Sequence, residues 1–191
     1  MQKSSGDAVW FIYKKEVDLV TLGEYGGIRL YFRAGIGDPP KDIKRAQSIH
    51  LDLAVGDPVI PSPVKTHTHS ILGDDSLSWC VYTIESSVAE KLHTLIVRHS
   101  DNSRSKDVFD LYYLMPIMPK CNHEILKQAL SATFKSRGDP LPSDIPQVLN
   151  KIDKDLLQRG WKSAIAGLRE RLDFDTIFEH VIKQCKNIFI G

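Results

Sequence analysis

The chain has 191 residues, of which 42% are hydrophobic and 26% are charged. This composition is typical of a folded globular protein and excludes a chain that is disordered throughout. Because the net charge is only +1, any contact with a polyanion has to come from local clusters of Lys and Arg.

Two alternating segments predict strands in the first part of the chain. In residues 28–34, apolar side chains alternate with Arg29, Tyr31 and Arg33, which is the period of a half-buried strand. A second alternation, in residues 49–55, places Asp52 on the polar face. We expect the two strands to pair as antiparallel neighbours, and a third β-like run at 79–84 to lead into the next region.

The hydrophobic period becomes helical from residue 85 onward. Ser87 and Glu90 have the spacing of a capping box, which predicts a helix start there. A second helix is expected to end near Pro116. The two predicted apolar stripes are Val88, Leu92, Leu95 and Ile96, and then Val108, Leu111, Tyr112 and Met115. Further helices are predicted at 123–134, 145–159, 161–171 and 174–186, with breaks around Gly138 and at Gly160.

The spacing of the cysteines and the length of the apolar runs indicate the cellular compartment of the protein. Cys80, Cys121 and Cys185 are widely spaced and form no CxxC pair, which argues against a disulfide framework and a zinc knuckle. No apolar run approaches the roughly 20 residues that a membrane-spanning helix needs, and the first residues lead into no signal-peptide core. We therefore expect a cytoplasmic protein without a membrane span.

Asp52 is the candidate metal ligand of the strand region. A carboxylate held by a strand is rigid enough to bind a magnesium ion, whereas the simpler interpretation is a solvated polar face. Asp57 follows Gly56 and precedes Pro58, so it is better interpreted as a turn residue.

Lys91 and the segment 104–111 carry the candidate phosphate contacts. Lys91 flanks an apolar stripe, where a lysine either packs its stem or presents a cation to a ligand. Arg104 and Lys106 lie beside the amides of a predicted helix start, an arrangement that suits a phosphate. Asp107 and Asp110 share one face of that helix, although Asp107 could also serve simply as a helix cap.

Three segments in a fixed order carry a resemblance to a known family: residues 49–59 around Asp52, 85–93 around Lys91, and 104–111 around Asp107. Residues 25–29 and 133–137, the latter followed by Leu141-Pro142, fit the same pattern. Together they resemble the AbiEii-type nucleotidyltransferases, toxins of type IV toxin–antitoxin and abortive-infection systems.

The resemblance implies an α+β fold. A partial polymerase-β-like nucleotidyltransferase sheet, residues 1–84, would be followed by a helical region, residues 85–191, that carries the Lys and Asp motifs. The implied activity is Mg²⁺-dependent transfer of NMP from an NTP to an acceptor such as tRNA, and a cognate antitoxin is an expected partner. A local basic surface of Lys41, Lys44 and Arg45 would help to hold a polyanion.

The resemblance also implies roles for individual residues. Asp52 matches the third carboxylate of the metal site, Lys91 the lysine that contacts the nucleotide triphosphate, and Asp107 the late catalytic aspartate. Arg104 and Lys106 are the further candidates for nucleotide binding.

One expected motif is missing. The family has a Gly-Ser turn followed by D-x-D, whereas residues 1–23 contain only Asp7 and Asp18. The D-x-D matches at 153–155 and 173–175 lie in the predicted helical region, so we interpret them as unrelated to catalysis. A single carboxylate does not organise a two-metal site. Three hypotheses stay open: a nucleotidyltransferase, truncated and inactive in one version; a catalytically dead module that binds nucleotide or antitoxin; or a purely structural remnant in which Lys91 and Asp107 serve only folding stability.

Overall fold

In the computed structural model, the chain divides into two compact units, Met1–Asp57 and Pro58–Gly191. The structure describes residues 8–20, 26–54, 56, 58–69, 76–98, 104–119, 122–169 and 171–190. The predictions made above for Val55, Asp57 and Cys121 fall outside the described residues.

The first unit is a three-stranded antiparallel sheet in which β2 is central. Its strands are β1 (Val9–Val20), β2 (Gly26–Ile36) and β3 (Gln47–Ala54). Arg29 lies opposite Asp52, and Tyr31 lies opposite His50, so the polar residues of both strands share one face. The predicted antiparallel pairing of these two segments is confirmed.

Strand β1 was not predicted from the sequence. Its ladder with β2 shifts register between Tyr13 and Lys15, where one extra residue interrupts the regular alternation of faces. The period-two signal is therefore broken in the middle of a twelve-residue strand.

The second unit combines a β-hairpin with helices. Strands β4 (Val64–His69) and β5 (Ser76–Val81) pair with each other in antiparallel fashion. The helices are α1 (Ile84–Arg98), α2 (Ser105–Ile117), α3 (His123–Ser136), α4 (Ile145–Asn150), α5 (Lys154–Ala164) and α6 (Phe174–Phe189).

The hydrophobic core of the second unit forms between its helices. Every residue of the predicted stripe on α1 is buried, and on α2 Val108, Leu111 and Met115 are buried while Tyr112 packs at the edge. Helix α1 packs against α2 and α3, and α2 packs against α5 and α6. Burial of these stripes fixes the rotation of α1 and α2 and so decides which polar side chains meet beside the core.

The predicted capping box at Ser87 is wrong. Helix α1 begins at Ile84, and the preceding Thr83 accepts a hydrogen bond from the backbone N–H of Ser86 at 3.4 Å. Thr83 thus performs the capping that the sequence spacing assigned to Ser87. Ser86 in turn donates its hydroxyl to the carbonyl of Ile60 at 2.8 Å.

The C-terminal helix boundaries also differ from the prediction. The helix expected at 145–159 is divided into α4 and α5, because Asp153 accepts from the N–H of Asp155 at 3.0 Å and starts a new helix. Gly160, a predicted break, lies inside α5, and residues 165–169 form no helix. Asp173 likewise caps α6 by accepting from the N–H of Thr176 at 2.9 Å. Both C-terminal D-x-D matches therefore belong to helix caps.

The predicted α+β class, a small antiparallel sheet followed by a helical region, is confirmed. Helix α1 begins at Ile84, and the two compact units divide between residues 57 and 58. The predicted division between residues 84 and 85 stays a prediction.

Candidate functional site

Helices α1 and α2 bring together Lys91, Asp107 and Asp110. The Nζ atom of Lys91 lies 2.6 Å from Oδ2 of Asp110 and 3.2 Å from Oδ1 of Asp107. Asp107 and Asp110 are three residues apart, so one face of α2 presents both carboxylates to the same ammonium group. Two of the predicted catalytic residues thus form one ion-paired cluster.

The Lys91 ammonium is stabilised by these carboxylates. Its partial burial by itself lowers the pKa, but the hydrogen bond to Asp110 and the charge of Asp107 outweigh that effect and raise the pKa above its ordinary value. Lys91 therefore remains a cation at neutral pH and is suited to bind an anion rather than to act as a base.

Asp107 is the most deeply buried charged group of the cluster. Its side chain is only 3% exposed, and Nε of Arg104 lies 3.1 Å from its Oδ2. Among the described residues, Oδ2 has no partner in hydrogen-bond geometry, so the Arg104 contact is a charge pair that leaves this oxygen with unused acceptor capacity. Because Asp107 is buried and ion-paired with both Lys91 and Arg104, its carboxylate holds these two cations beside each other.

The first turn of α2 explains how the segment 104–107 distributes its side chains. Ser105 is buried and donates its hydroxyl to the carbonyl of Leu157, which anchors the helix start against α5. Arg104 and Asp107 then lie on one side by their i, i+3 spacing. Lys106 projects outward and is exposed. The helix start thus separates the two predicted nucleotide-binding cations.

A cleft of about 270 Å³ lies beside this cluster. The side chains that line it among the described residues include the cations Lys91, Arg104 and Arg137, and the carboxylates of Glu90 and Asp107. Hydroxyl groups of Tyr82, Ser87 and Thr94 complete the wall. A concave site with excess positive charge and several hydroxyl donors suits a small polyanion such as a phosphate ester.

Lys106 is not part of the described cleft wall. Its contact with nucleotide stays a prediction, as does the polyanion surface of Lys41, Lys44 and Arg45, which are exposed in the first unit.

Asp52 belongs to the first unit, where Arg29 binds its carboxylate. The Nε and Nη2 atoms of Arg29 donate to Oδ1 and Oδ2 at 2.6 and 2.7 Å. This bidentate hydrogen bonding holds the pKa of Asp52 below its ordinary value. A cation would have to compete with Arg29 for the same carboxylate, and the role of Asp52 as a metal ligand stays a prediction.

The described residues do not form a magnesium site of their own. They contain no group of three or more His, Cys, Asp and Glu side chains placed to hold a metal ion. The carboxylates among the residues that line the cleft are Glu90 and Asp107, and Asp107 is already paired with Lys91 and Arg104. Mg²⁺ normally requires one or two carboxylates together with phosphate or water oxygens, so these residues alone do not satisfy it.

Sequence reasoning missed the contribution of α3 to the cleft. Arg137 was noted only as part of the family pattern at 133–137. The sequence feature that could have identified Arg137 is the Gly138 that follows it. A glycine directly after a helix predicts a C-terminal turn, and such a turn orients the neighbouring side chains.

Comparison with known proteins identifies the family of this chain. A family model described as "Nucleotidyl transferase AbiEii toxin, Type IV TA system" matches residues 1–180. A comparison with curated proteins gives no match. Within the described part of the chain, no helix has the length and apolar character required to cross a bilayer. The family match covers nearly all of the chain, including both helices that carry the Lys91–Asp107 cluster, and the protein therefore belongs to the AbiEii family of nucleotidyl transferase toxins of type IV toxin–antitoxin systems.

Proposed function

We propose that this protein transfers NMP from an NTP to a hydroxyl group of tRNA in the cytoplasm, and that the cleft beside Lys91 binds the triphosphate. The observation that carries the proposal is the position of Asp107. It lines the cleft together with Lys91 and Arg104, and it is ion-paired with both, at 3.2 Å from Nζ of Lys91 and 3.1 Å from Nε of Arg104.

Family membership implies a nucleotide substrate and a cognate antitoxin. The cations of the cleft match the first of these, because phosphate oxygens are bound most strongly by charge-assisted hydrogen bonds from Lys and Arg. In this proposal Lys91 and Arg104 hold the phosphates, and Asp107 keeps both cations in position.

The reaction begins when the acceptor hydroxyl oxygen attacks the α-phosphorus. A new P–O bond forms, and the bond from the α-phosphorus to the oxygen that bridges to the β-phosphate breaks. Pyrophosphate leaves with that electron pair. The hydroxyl proton passes to solvent water as the new P–O bond forms. Lys91 and Arg104 stabilise the negative charge that develops on the phosphates. We propose that the NTP is supplied as its Mg²⁺ complex.

The test is a transfer assay. The purified protein is incubated with each of the four α-³²P-labelled NTPs, total tRNA and Mg²⁺, and label in the tRNA band is measured. We expect one or more NTPs to label the tRNA. Lys91→Gln and Asp107→Asn should each reduce transfer about a hundredfold or more, as expected for loss of a group that stabilises the transition state. Lys162→Gln, at an exposed position on α5, is the matched control and should retain full activity.

A second candidate function is a binding module without catalysis. Two observations favour it: the described residues lack a metal-binding group of carboxylates, and Arg29 occupies Asp52. This module would bind Mg²⁺–NTP or the antitoxin and transfer nothing. Calorimetric binding of Mg²⁺–NTP together with no label in the transfer assay would select it, whereas labelled tRNA that depends on Lys91 would eliminate it.

A further inference from the structure

Arg137 is the cation of the cleft that no sequence motif assigned to a role. It follows the last residue of α3 and lines the same cleft as Lys91 and Arg104. Lys91 bonds to two carboxylates of the neighbouring helix, and Arg137 contacts a histidine of α1. Its Nη1 atom lies 3.2 Å from Nδ1 of His93.

The hydrogen bonds around His93 define its protonation. A guanidinium group can only donate, so Nδ1 of His93 must accept the hydrogen bond from Arg137. The ring proton is then on Nε2, which donates to Oδ2 of Asp139 at 2.8 Å. His93 is only 5% exposed, and the edge of its ring packs against Phe134 at a centroid distance of 4.6 Å. The imidazole is thus fixed in position, orientation and tautomer.

The turn that follows α3 brings the carboxylate of Asp139 within hydrogen-bond distance of His93. Gly138 adopts a left-handed conformation with a φ of +70°. The N–H of Asp139 then donates to the carbonyl of Phe134 at 3.0 Å, which closes the helix end. As a result Arg137 and Asp139, two residues apart, reach the two nitrogens of the same ring.

We propose that Asp139 and His93 position Arg137 as a further phosphate-binding residue, which contacts the β- and γ-phosphates of the bound NTP. The inference rests on the proposed function of the cleft. A guanidinium group held in advance loses little freedom when it binds, and its planar donors match phosphate oxygens in a bidentate manner. Arg137 is the contact residue, whereas His93 and Asp139 are positioning residues that do not reach the ligand.

The size and charge of the cleft favour a compact phosphate group over an RNA backbone. Its volume of about 270 Å³ lies near the lower end of ligand pockets, which suits part of a nucleotide. Two of its cations, Lys91 and Arg104, are paired with the same buried carboxylate of Asp107, and Arg137 lines the same cleft.

The experiment compares the binding of ATP, pyrophosphate and AMP by calorimetry in Mg²⁺ buffer. Arg137→Gln should weaken binding of ATP and pyrophosphate about tenfold or more, the effect of losing a charge-assisted hydrogen bond. Binding of AMP, which lacks the β- and γ-phosphates, should not change. Arg137→Lys should restore part of the ATP affinity. The matched control is Arg98→Gln, at an exposed position at the end of α1.

The positioning residues are tested by the same ratio of ATP to AMP affinity. Asp139→Asn and His93→Gln should each lower that ratio several-fold, whereas a purely structural role would weaken both ligands together. His93 is buried, so His93→Gln tests folding as well as positioning. Asp139 is partly exposed, and Asp139→Asn is therefore the decisive variant for the positioning role. Thermal melting verifies that each variant is folded.

Each outcome decides between the two proposals. If the wild type binds ATP and Arg137→Gln binds it equally well, the role of Arg137 is overturned and the proposed function stands. If Arg137→Gln loses tRNA binding but keeps ATP affinity, the residue serves the acceptor and the inference is wrong. If the wild type binds neither ATP nor any other NTP, both the proposed function and this inference fail.

Discussion

The ammonium of Lys91 and the buried carboxylate of Asp107 are 3.2 Å apart and connect α1 to α2 at the wall of the cleft. Because Asp107 is 3% exposed, removal of Lys91 takes away a hydrogen bond that water cannot replace and leaves Arg104 as the cation beside this carboxylate. Lys91 also binds the more exposed Asp110, so the energy of a buried and of a partly exposed ion pair can be compared for the same lysine.

Lys91→Met should therefore lower the free energy of unfolding by about 1–3 kcal/mol, because Oδ1 of the buried Asp107 carboxylate loses its hydrogen-bond donor. In double-mutant cycles measured by urea denaturation, we expect the coupling of Lys91 to Asp107 to exceed its coupling to Asp110. The latter should be about 0.5–1 kcal/mol, as for other partly exposed ion pairs. Equal coupling to both carboxylates would contradict the importance of burial at Asp107.

Gly138→Ala should destabilise the second unit by about 1 kcal/mol, the cost of placing an L side chain in the left-handed region. A Cβ atom at this position would contact nothing within 4 Å, so the expected cost comes from the backbone alone. Gly167→Ala is the matched control, because its Cβ is equally unobstructed and its φ is not positive. Denaturation of both variants should give a loss at 138 and no loss at 167. A similar result for the two would show that the turn tolerates other conformations.

The Arg29–Asp52 pair should make the stability of the first unit depend on acid pH. The pKa of Asp52 is lowered in the folded state because Arg29 donates hydrogen bonds to its carboxylate. The pair therefore contributes its stability above the ordinary pKa of 3.8, and this contribution is lost as the pH falls through the lower folded value. The stability difference between the wild type and Asp52→Asn should be largest near neutral pH and should disappear in strong acid.

The measurement is urea denaturation between pH 6 and pH 2, monitored by the β-sheet signal. Asp18→Asn is the control, since Asp18 is an exposed position on β1 and forms no ion pair with any described residue. At neutral pH this variant should lose less stability than Asp52→Asn. A constant difference between Asp52→Asn and the wild type across this pH range would show that the pair with Arg29 does not form in solution.

The two cysteines that the structure describes should differ in reactivity. Burial raises the pKa of the Cys185 thiol to about 12, whereas Cys80 is exposed on β5. Because the thiolate is the reactive form, brief treatment with iodoacetamide at pH 8 should alkylate Cys80 and leave Cys185 unmodified. Peptide mapping by mass spectrometry distinguishes the two sites, and denaturant should make Cys185 react. Alkylation of Cys185 in the native protein at the rate of Cys80 would contradict its place in the helical core.

The sequence predicted the elements whose periodicity is uninterrupted. The apolar stripes of α1 and α2 were read correctly because burial on one side of a helix requires the observed spacing. The pairing of β2 with β3 followed from two regular alternations. Prediction failed where local signals competed. Thr83 and Ser87 are both acceptable caps, and the Asp153 cap divides a segment whose apolar pattern continues across it.

For the candidate site, prediction from the sequence was limited to residues that lie close together along the chain. Lys91, Arg104 and Asp107 could be identified from local spacing and from the resemblance to the AbiEii family, which the family match confirms. The sequence by itself thus determined the family, the α+β class and the residues of α1 and α2 that carry charge.

Only the tertiary structure decided which of those charges meet. The packing of α3 against α1 brings His93 to Arg137 and Asp139, 44 and 46 residues away along the chain. It also distinguishes Arg104, which faces the cleft, from Lys106, which faces solvent. The physical reason is that hydrogen bonds and ion pairs act over a few ångströms. Their partners are therefore set by how the helices pack, which the spacing of residues within one helix does not specify.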